Sequence, residues 1–250
     1  MKIAVCIKRT PDSESRFKIG PSGNGIDEAG LKFDMDDFAG YAVEVALQLN
    51  EKQGPGETVV LAVGPDNVQE SLRKAMSMGA DRAVHLKSDA GVFDGLAVAR
   101  ALASEIKPGA FDLVLFGKYA FDTSASVVGT ATAELLGVPC VTAASKLEIA
   151  GGKGTARREI EGAGEIVEFS LPAVVTIDEG IARPRYPSLK GIMAAKKKPL
   201  ETRPAQLGPI GVTVKSMELP PERPAGRIIG QGTAAVPELI RLLQDEAKVL

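Results

Sequence analysis

Short runs of β-branched and aliphatic residues alternate with amphipathic stretches over roughly the first 140 residues. Four apolar runs predict buried strands, at residues 2–8, 57–63, 82–86 and 111–117. Between and after them, apolar side chains recur at helical spacing, which predicts helices over residues 36–51, 67–78, 97–106 and 127–136. This order predicts an α/β fold of three layers, in which helices cover both faces of a doubly wound, mostly parallel, Rossmann-like sheet.

The pattern changes after residue 140. Alternating segments joined by glycine turns predict an antiparallel ribbon over residues 146–150, 155–161 and 165–171, and residues 173–177 read as one more core strand. Beyond residue 198 the chain is rich in proline and poor in apolar residues, and a short amphipathic helix is predicted at residues 236–243. We therefore expect an α/β domain over residues 1–198 and an extended arm ending in a helix over residues 199–250.

Composition narrows the classes of function. The 250 residues are 44% hydrophobic and 25% charged, with a net charge of -2, which argues against a general nucleic-acid or anionic-membrane binder. No run approaches the roughly 18 apolar residues of a membrane span, and residues 1–8 resemble a core strand rather than an export signal. Cys6 and Cys140 show no metal spacing. We expect a cytoplasmic protein without membrane insertion.

Few side chains are available for chemistry. His85 is the only histidine and there is no tryptophan, so a histidine-based triad or a multi-histidine metal site is disfavoured. No catalytic residue and no metal ligand is predicted. Redox or group-transfer chemistry would have to come from a cofactor.

Ligand sites in doubly wound sheets lie beyond the carboxyl ends of the strands, which makes residues 8–12, 63–66 and 117–126 candidates. The last is the best, because a glycine and a run of small hydroxyl residues before a helix supply donors for a phosphate or a ribose. A helix cap formed by Asp122, Thr123 or Ser124 is the alternative interpretation. Neither a Walker-type loop nor a G-x-G-x-x-G turn follows the first strand.

A segment near the three-quarter point, residues 173–199, runs from a strand through Pro184 and Pro187 to Leu189 and then to three lysines. Each proline restricts itself and the residue before it, so the segment should be semi-rigid. Stiffness around an apolar tip predicts a docking surface. An ordinary surface loop with a solvated patch at residues 196–198 is the alternative.

Together these residues resemble one family over essentially the whole chain. The resemblance lies in Val5-Cys6-Ile7-Lys8-Arg9, in residues 75–81 and 112–118, and in the long block from Arg158 through Arg183-Pro184-Arg185-Tyr186-Pro187-Ser188-Leu189-Lys190-Gly191-Ile192-Met193. The chain is similar to the beta subunits of electron-transfer flavoproteins. That resemblance implies the adenine nucleotide alpha hydrolase-like version of the Rossmann-like fold.

The resemblance also implies a noncatalytic half of a heterodimer. An alpha subunit would hold most of the redox-active FAD, while this chain would bury AMP and present a recognition loop, residues 182–198, to acyl-CoA and other flavin dehydrogenases. Electrons would leave for a quinone oxidoreductase. The arm and terminal helix would pack on the alpha subunit.

Site residues follow from the same resemblance. Leu189 matches the anchor of the docking loop, accompanied by Tyr186, Ile192 and Met193. Arg158 and Glu159 match positions at the subunit interface. The cofactor-binding region would comprise Cys6, Asp36, Asp37, Phe38, Ala39, Val63, Gly117, Lys118, Asp122, Thr123, Ser124, Ala125, Ser126, Val127 and Val128.

Which nucleotide is bound stays open between two alternatives. Members that hold AMP tend to show an acidic run followed by Asn-Gln-Thr-Gly, whereas electron-bifurcating members, which hold a second FAD and oxidise NADH, tend to read Asp-Gly-Asp-Thr-Ala-Gln-Val-Gly. Residues 122–129 here read Asp-Thr-Ser-Ala-Ser-Val-Val-Gly. Asp122 and Gly129 fit both patterns and Val128 fits the second, but the second Asp and the Gln are missing, so we expect AMP.

Two rivals come from other classes. An adenine-nucleotide-dependent hydrolase or ligase of the same fold would need a loop such as Ser-Gly-Gly-x-Asp-Ser after the first strand, which residues 8–13 do not supply. A stand-alone nucleotide-binding stress protein would have little use for the arm after residue 199.

Overall fold

The computed structural model describes residues 1–89, 93–222 and 225–250. Within them the strands are β1 (Lys2–Cys6), β2 (Arg9–Pro11), β3 (Phe33–Met35), β4 (Glu57–Gly64), β5 (Arg82–Lys87), β6 (Leu113–Gly117), β7 (Cys140–Ala150), β8 (Lys153–Ile160), β9 (Ala163–Ser170), β10 (Ala173–Ile177) and β11 (Leu200–Pro204). The helices are α1 (Asp37–Gln53), α2 (Val68–Met78), α3 (Gly95–Ile106), α4 (Val128–Leu136), α5 (Leu189–Ala195) and α6 (Val236–Asp245).

A nine-stranded sheet forms the centre of the molecule, in the order β11-β5-β4-β1-β6-β10-β7-β8-β9. Its strands are parallel from β11 to β7, and β7, β8 and β9 continue as an antiparallel ribbon. All five residues of β10 are buried, as expected for a strand covered on both faces. The predicted fold class and ribbon are confirmed.

Alternate side chains of β1 enter different cores. Ile3 and Val5 pack in the core that includes α1 and α2, while Ala4 and Cys6 pack in the core that includes α3 and α4. The two-residue period of a strand produces this separation. One pair of helices therefore covers each face of the sheet.

The chain leaves the sheet later than the predicted boundary at residue 198. β11 pairs in parallel with β5, with Leu200 opposite Ala83 and Pro204 opposite Lys87. Most of its side chains are exposed, and a proline is tolerated because the strand lies at the sheet edge. Edge pairing uses backbone groups and leaves little hydrophobic signal in the sequence, so this strand was not predicted.

The first part of the arm also lies on its own domain. Asp94, at the start of α3, accepts hydrogen bonds at Oδ2 from the amides of Gly211 (2.6 Å) and Val212 (3.2 Å). Arg100 donates to the carbonyl of Pro209 at 3.0 Å. By contrast, α6 has no buried residue in this chain. The final helix therefore remains available to a partner.

Candidate functional site

The order of strands reverses at the carboxyl end of β1, and we call this position the crevice because doubly wound sheets hold their ligands there. β1 pairs with β4 on one side and with β6, which comes later in the chain, on the other. Cys6 at the end of β1 is in register with Leu61 and Phe116. Such a reversal opens a gap above the strand ends in doubly wound sheets. The walls of this crevice are the end of β4, the N-terminus of α1 and residues 117–127.

Asp36 joins two of these walls. It is the N-cap of α1, only 3% exposed, and its Oδ1 accepts from the amide of Phe38 at 3.0 Å. Its Oδ2 accepts from the amide of Phe121 at 2.8 Å, so one carboxylate holds both the helix start and the loop after β6. Burial raises the pKa of Asp36, against the lowering effect of these amides. Asp37 follows it in the first turn and is exposed.

Gly117 allows α1 to approach β6 closely. A Cβ at this position would lie 2.7 Å from Cβ of Phe38 and 2.9 Å from the backbone nitrogen of Ala39. The ring of Phe38 in turn lies 4.5 Å from that of Tyr119, between centroids. Lys118 is held by an ion pair with Asp178 at 2.9 Å. The crevice floor is therefore tightly packed around a glycine.

The segment from Asp122 to Val127 is exposed and has an unusual backbone. Ser124 and Ser126 have φ angles of 48° and 51°, in the left-handed region that non-glycine residues rarely occupy. The amide of Ser124 donates to the carbonyl of Ala120 at 2.8 Å. Among the described residues, the amides of Ala125, Ser126 and Val127 have no acceptor. Clustered free amides before a helix suit an anionic group such as a phosphate.

The alternative of a helix cap within this segment is wrong. α4 begins at Val128 and its N-cap is Val127, which makes no side-chain capping bond. Asp122 instead pairs with Lys8 at 2.6 Å, and Thr123 donates its amide to Ala120 in a local turn. The small polar residues of this segment are thus not used to cap α4.

Cys6 and Val63 contribute to the crevice through packing. Cys6 is buried and free, and burial raises the pKa of its thiol, which makes it a structural rather than a reactive cysteine. Val63, half-buried near the end of β4, packs against the same core. Ala39 is buried in α1 on the other face. The contacts described here join α1 to the end of β6 and the loop after it, and Cys6 and Val63 lie near the carboxyl ends of the neighbouring strands β1 and β4. The binding of a cofactor by these residues stays a prediction.

A second candidate surface lies on α5, inside the segment predicted as a loop. Ser188 caps this helix by accepting the amide of Gly191 at 3.0 Å. The exposed side chains are Tyr186 (93%), Leu189 (85%), Met193 (61%) and Ile192 (42%). Leu189, Ile192 and Met193 are spaced i, i+3 and i+4, so they share one helix face. We call these four residues the docking face.

α2 supports the docking face from behind. A Cβ on Gly191 would lie 2.4 Å from the carbonyl oxygen of Ser77, so α5 can pack this closely only with glycine. Lys198 donates to the carbonyls at the C-terminal end of α2, namely Met76 (3.1 Å), Gly79 (3.1 Å) and Ala80 (2.6 Å). Burial lowers the pKa of Lys198. The prediction of three solvated lysines is wrong for Lys198, whereas Lys196 and Lys197 are exposed.

Arg158 and Glu159 lie on β8, away from the crevice. β10 and β7 separate β8 from β6 in the sheet. Arg158 pairs with Glu165 at 3.1 Å, and Glu159 accepts from Arg157 at 2.8 Å. These ion pairs form on the outer ribbon.

Side chains elsewhere offer little chemistry. His85 is fully buried, with Nε2 2.8 Å from the carbonyl oxygen of Gly64 and Nδ1 3.3 Å from Nε2 of Gln69. Within residues 1–89, 93–222 and 225–250, no cluster of three His, Cys, Asp or Glu residues is placed to hold a metal. None of the helices described in these ranges has both the length and the apolar character needed to cross a membrane.

Comparison with known proteins decides the family. The model of the electron transfer flavoprotein domain matches residues 24–207, which is most of the chain. The chain belongs to the electron transfer flavoprotein beta-subunit family. It is 38% identical over 250 residues to the electron transfer flavoprotein subunit beta of Syntrophomonas wolfei, covering 100% of this chain and 98% of that protein.

Similar relatives occur in distant organisms. The beta subunit of Bacillus subtilis is 37% identical over 262 residues, covering 100% of both chains. The human beta subunit is 38% identical over 234 residues, covering 90% of this chain and 91% of the relative. Membership of the family confirms the resemblance found in the sequence.

Two groups near these surfaces were not predicted. Asp94 anchors the arm, and Glu44 with Glu51 binds Arg185 beside the docking face. The nearest signal in the sequence is the spacing of Glu44 and Glu51, which places them two turns apart on one helix face. No residue near Glu44 and Glu51 in the sequence indicates that Arg185 is their partner.

Proposed function

We propose that this chain is the noncatalytic beta subunit of a heterodimeric electron-transfer flavoprotein. It accepts electrons from acyl-CoA or other flavin dehydrogenases, through FAD held mainly by an alpha subunit, and the electrons pass to a quinone oxidoreductase. This chain positions the alpha subunit and the electron-donating dehydrogenase relative to each other. Family membership supports the general role, and the features below support the finer assignments.

The docking face is the observation that supports this proposal most strongly. Leu189 projects from a helix that is capped by Ser188 and packed on α2, and yet it is 85% exposed. A large apolar side chain held rigidly in water is costly for a monomer, and a central apolar anchor in a polar setting is typical of a binding hot spot. A segment that only connected two elements would not need an exposed leucine of this kind. We assign Leu189 as the anchor for a dehydrogenase.

We assign the crevice to an adenine nucleotide with a single phosphate. The free amides at Ala125, Ser126 and Val127 would hold the phosphate, and Asp36 would keep that loop against α1. AMP here would be structural, since its chemistry supplies no redox step. FAD supplies the redox chemistry when bound, mostly from the partner subunit. No residue of this chain has to act as an acid, base or nucleophile.

The interface with the alpha subunit would use two separate regions. Arg158 and Glu159 present paired charges on the outer ribbon. α6 presents Val236, Leu239 and Ile240, which are between 41% and 45% exposed. An amphipathic helix with no buried residue in its own chain requires an apolar surface elsewhere. We assign that surface to the alpha subunit.

The nucleotide content of the heterodimer tests the proposal. The chain is coexpressed with the alpha subunit of the same organism, the complex is purified, and the nucleotides released by denaturation are identified and counted. One FAD and one AMP per heterodimer is the expected result. Two FAD molecules would instead indicate an electron-bifurcating beta subunit that oxidises NADH. Failure to form any heterodimer would refute both assignments.

Leu189→Ala tests the docking face. Loss of a hot-spot anchor costs about 2 kcal/mol of binding, so the dehydrogenase concentration for half-maximal electron transfer should rise about 30-fold. Flavin and AMP content should stay unchanged, because Leu189 lies outside the crevice. Leu135→Ala, on the exposed side of α4, is the matched control. An unchanged concentration dependence in Leu189→Ala would remove the anchor assignment.

A further inference from the structure

Arg185 makes an unusually complete set of contacts just before the docking face. Its Nε and Nη2 donate to the two carboxylate oxygens of Glu44, at 2.8 Å and 2.9 Å. Its Nη1 and Nη2 also donate to the two oxygens of Glu51, at 2.6 Å and 3.1 Å. The backbone amide of Arg185 adds a bond to Glu44 at 3.2 Å. A bidentate fork of this kind fixes orientation as well as distance.

The partners of Arg185 come from one face of α1. Glu44 and Glu51 are seven residues apart, which is two helical turns. Glu44 is only 3% exposed, and a buried carboxylate is retained only when it is paired and hydrogen-bonded. Pro184 lies beside this contact, 3.7 Å from where a Cβ on Gly40 would be. The chain is thus fixed to α1 four residues before Leu189.

The chain at the C-terminal end of α5 is fixed to α2. Arg73 donates from Nη1 to the carbonyl of Ala195 at 2.5 Å and to that of Lys198 at 2.9 Å. Lys198 returns bonds from its Nζ to the last carbonyls of α2. α5 is therefore held at both ends, while its apolar face stays free of contacts that would bury it.

We propose that Arg185 is a positioning residue for dehydrogenase docking. By clamping the chain to Glu44 and Glu51, it holds Leu189 ready to bind, so that association does not have to order the segment. Ordering side chains and loops at an interface weakens association, and a segment that is already ordered avoids this loss. This inference rests on the proposed function, since it requires the docking face to bind a dehydrogenase.

The test uses the full heterodimer and an acyl-CoA dehydrogenase of the same organism, reduced by its acyl-CoA substrate. Arg185→Ala should raise the dehydrogenase concentration for half-maximal transfer about tenfold. Arg185→Lys should raise it by less, because the ammonium keeps the positive charge beside Glu44 and Glu51 but cannot form the fork. The maximal rate and the nucleotide content should not change. Arg203→Ala is the matched control, because Arg203 also binds two carboxylates, Glu201 on β11 and Glu105 on α3, which covers the opposite face of the sheet from α1 and α2.

Removing Arg185 leaves the buried Glu44 carboxylate without its cationic partner and with only the neutral amide of Gln48, at 2.8 Å, which can impair folding. Two further variants keep the test decisive in that case. Arg185→Lys retains a positive charge, and the double variant Glu44→Gln with Arg185→Ala removes both members of the buried pair. Both should weaken docking, and both should retain the heterodimer and its nucleotides. Wild-type concentration dependence in both variants would overturn the proposal.

A double-mutant cycle separates positioning from general stability. If Arg185 acts through Leu189, adding Arg185→Ala to Leu189→Ala should weaken docking by far less than tenfold beyond Leu189→Ala alone. Two effects that multiply fully would overturn the proposal, as would no effect of Arg185→Ala. If Leu189→Ala itself has no effect, the docking assignment fails. If only Leu189→Ala has an effect, the docking assignment stands and the positioning role fails.

Discussion

Substitution of Gly117 by alanine tests the packing on which the crevice depends. The added methyl would lie 2.7 Å from Cβ of Phe38 and 2.8 Å from its carbonyl carbon. Carbon atoms pack at about 3.5 Å or more, so α1 would have to retreat from β6 by roughly 0.8 Å. One of the clashing atoms is backbone and the other begins a side chain, so no flexible group can move aside.

The retreat would act directly on Asp36. Its Oδ2 lies 2.8 Å from the amide of Phe121, and a displacement of up to 0.8 Å would lengthen this bond beyond the roughly 3.2 Å limit of a good hydrogen bond. Overpacking of this kind costs about 1–3 kcal/mol. The loop after β6 should lose its attachment to α1, and with it the arrangement of free amides at residues 125–127.

Urea unfolding and nucleotide release measure the two consequences in the purified heterodimer. Gly117→Ala should lower the unfolding free energy by about 1–3 kcal/mol and reduce the AMP content. Gly25→Ala is the control, because nothing lies within 4 Å of a Cβ there and the glycine has no left-handed φ. If Gly117→Ala unfolds at the same urea concentration as Gly25→Ala and retains its nucleotide, the reasoning about the crevice floor is wrong.

Two further predictions concern charges beneath the docking face. Lys198→Met should lower the unfolding free energy by about 1–3 kcal/mol, since the carbonyl of Met76 in α2 and those of Gly79 and Ala80 just after it lose a charged donor. Lys196→Met, at an exposed position, should have little effect, and equal urea midpoints for the two variants would contradict the role of Lys198 at the end of α2. Burial by itself raises the pKa of Glu44, but the bonds from Arg185 and Gln48 outweigh it, so the pKa lies below its ordinary value. A carboxyl whose pKa is lower in the folded state adds stability that is present above the unfolded pKa of about 4.3 and is lost as the pH falls through the folded pKa. The urea midpoint of the wild type should therefore fall more steeply below about pH 5 than that of Glu44→Gln, and parallel curves would contradict this.

The elements that could be predicted are those in which buried apolar positions recur every few residues along the sequence. Strand β10 is five consecutive buried positions, and α1 repeats its apolar residues over four turns, so each carries its own signal. The loop after β6 is the best candidate ligand site in the sequence because it follows a strand and places a glycine and small hydroxyl residues before a helix. Its backbone was not predicted, because the left-handed φ angles of Ser124 and Ser126 are imposed by the surrounding chain and are not favoured by serine.

The missed elements depend on contacts made across the fold. β11 buries little of itself and is defined by backbone pairing with β5. α5 has seven residues, too few to show a helical period, and Ser188 and the close contact of Gly191 with Ser77 define it instead. Such elements are visible only once their neighbours are in place.

The sequence by itself determined the order of the buried strands and the longer helices, the doubly wound sheet and the glycine-containing candidate loop after β6, because each follows from periodicity or turn chemistry within a short window. It also placed Leu189 at the centre of a stiff segment. Only the tertiary structure decided how that leucine is presented and how the crevice is closed. Arg185 meets Glu44 across 141 residues, and Phe121 meets Asp36 across 85. Pairings at such separations are set by the path of the whole chain, and no local preference encodes them.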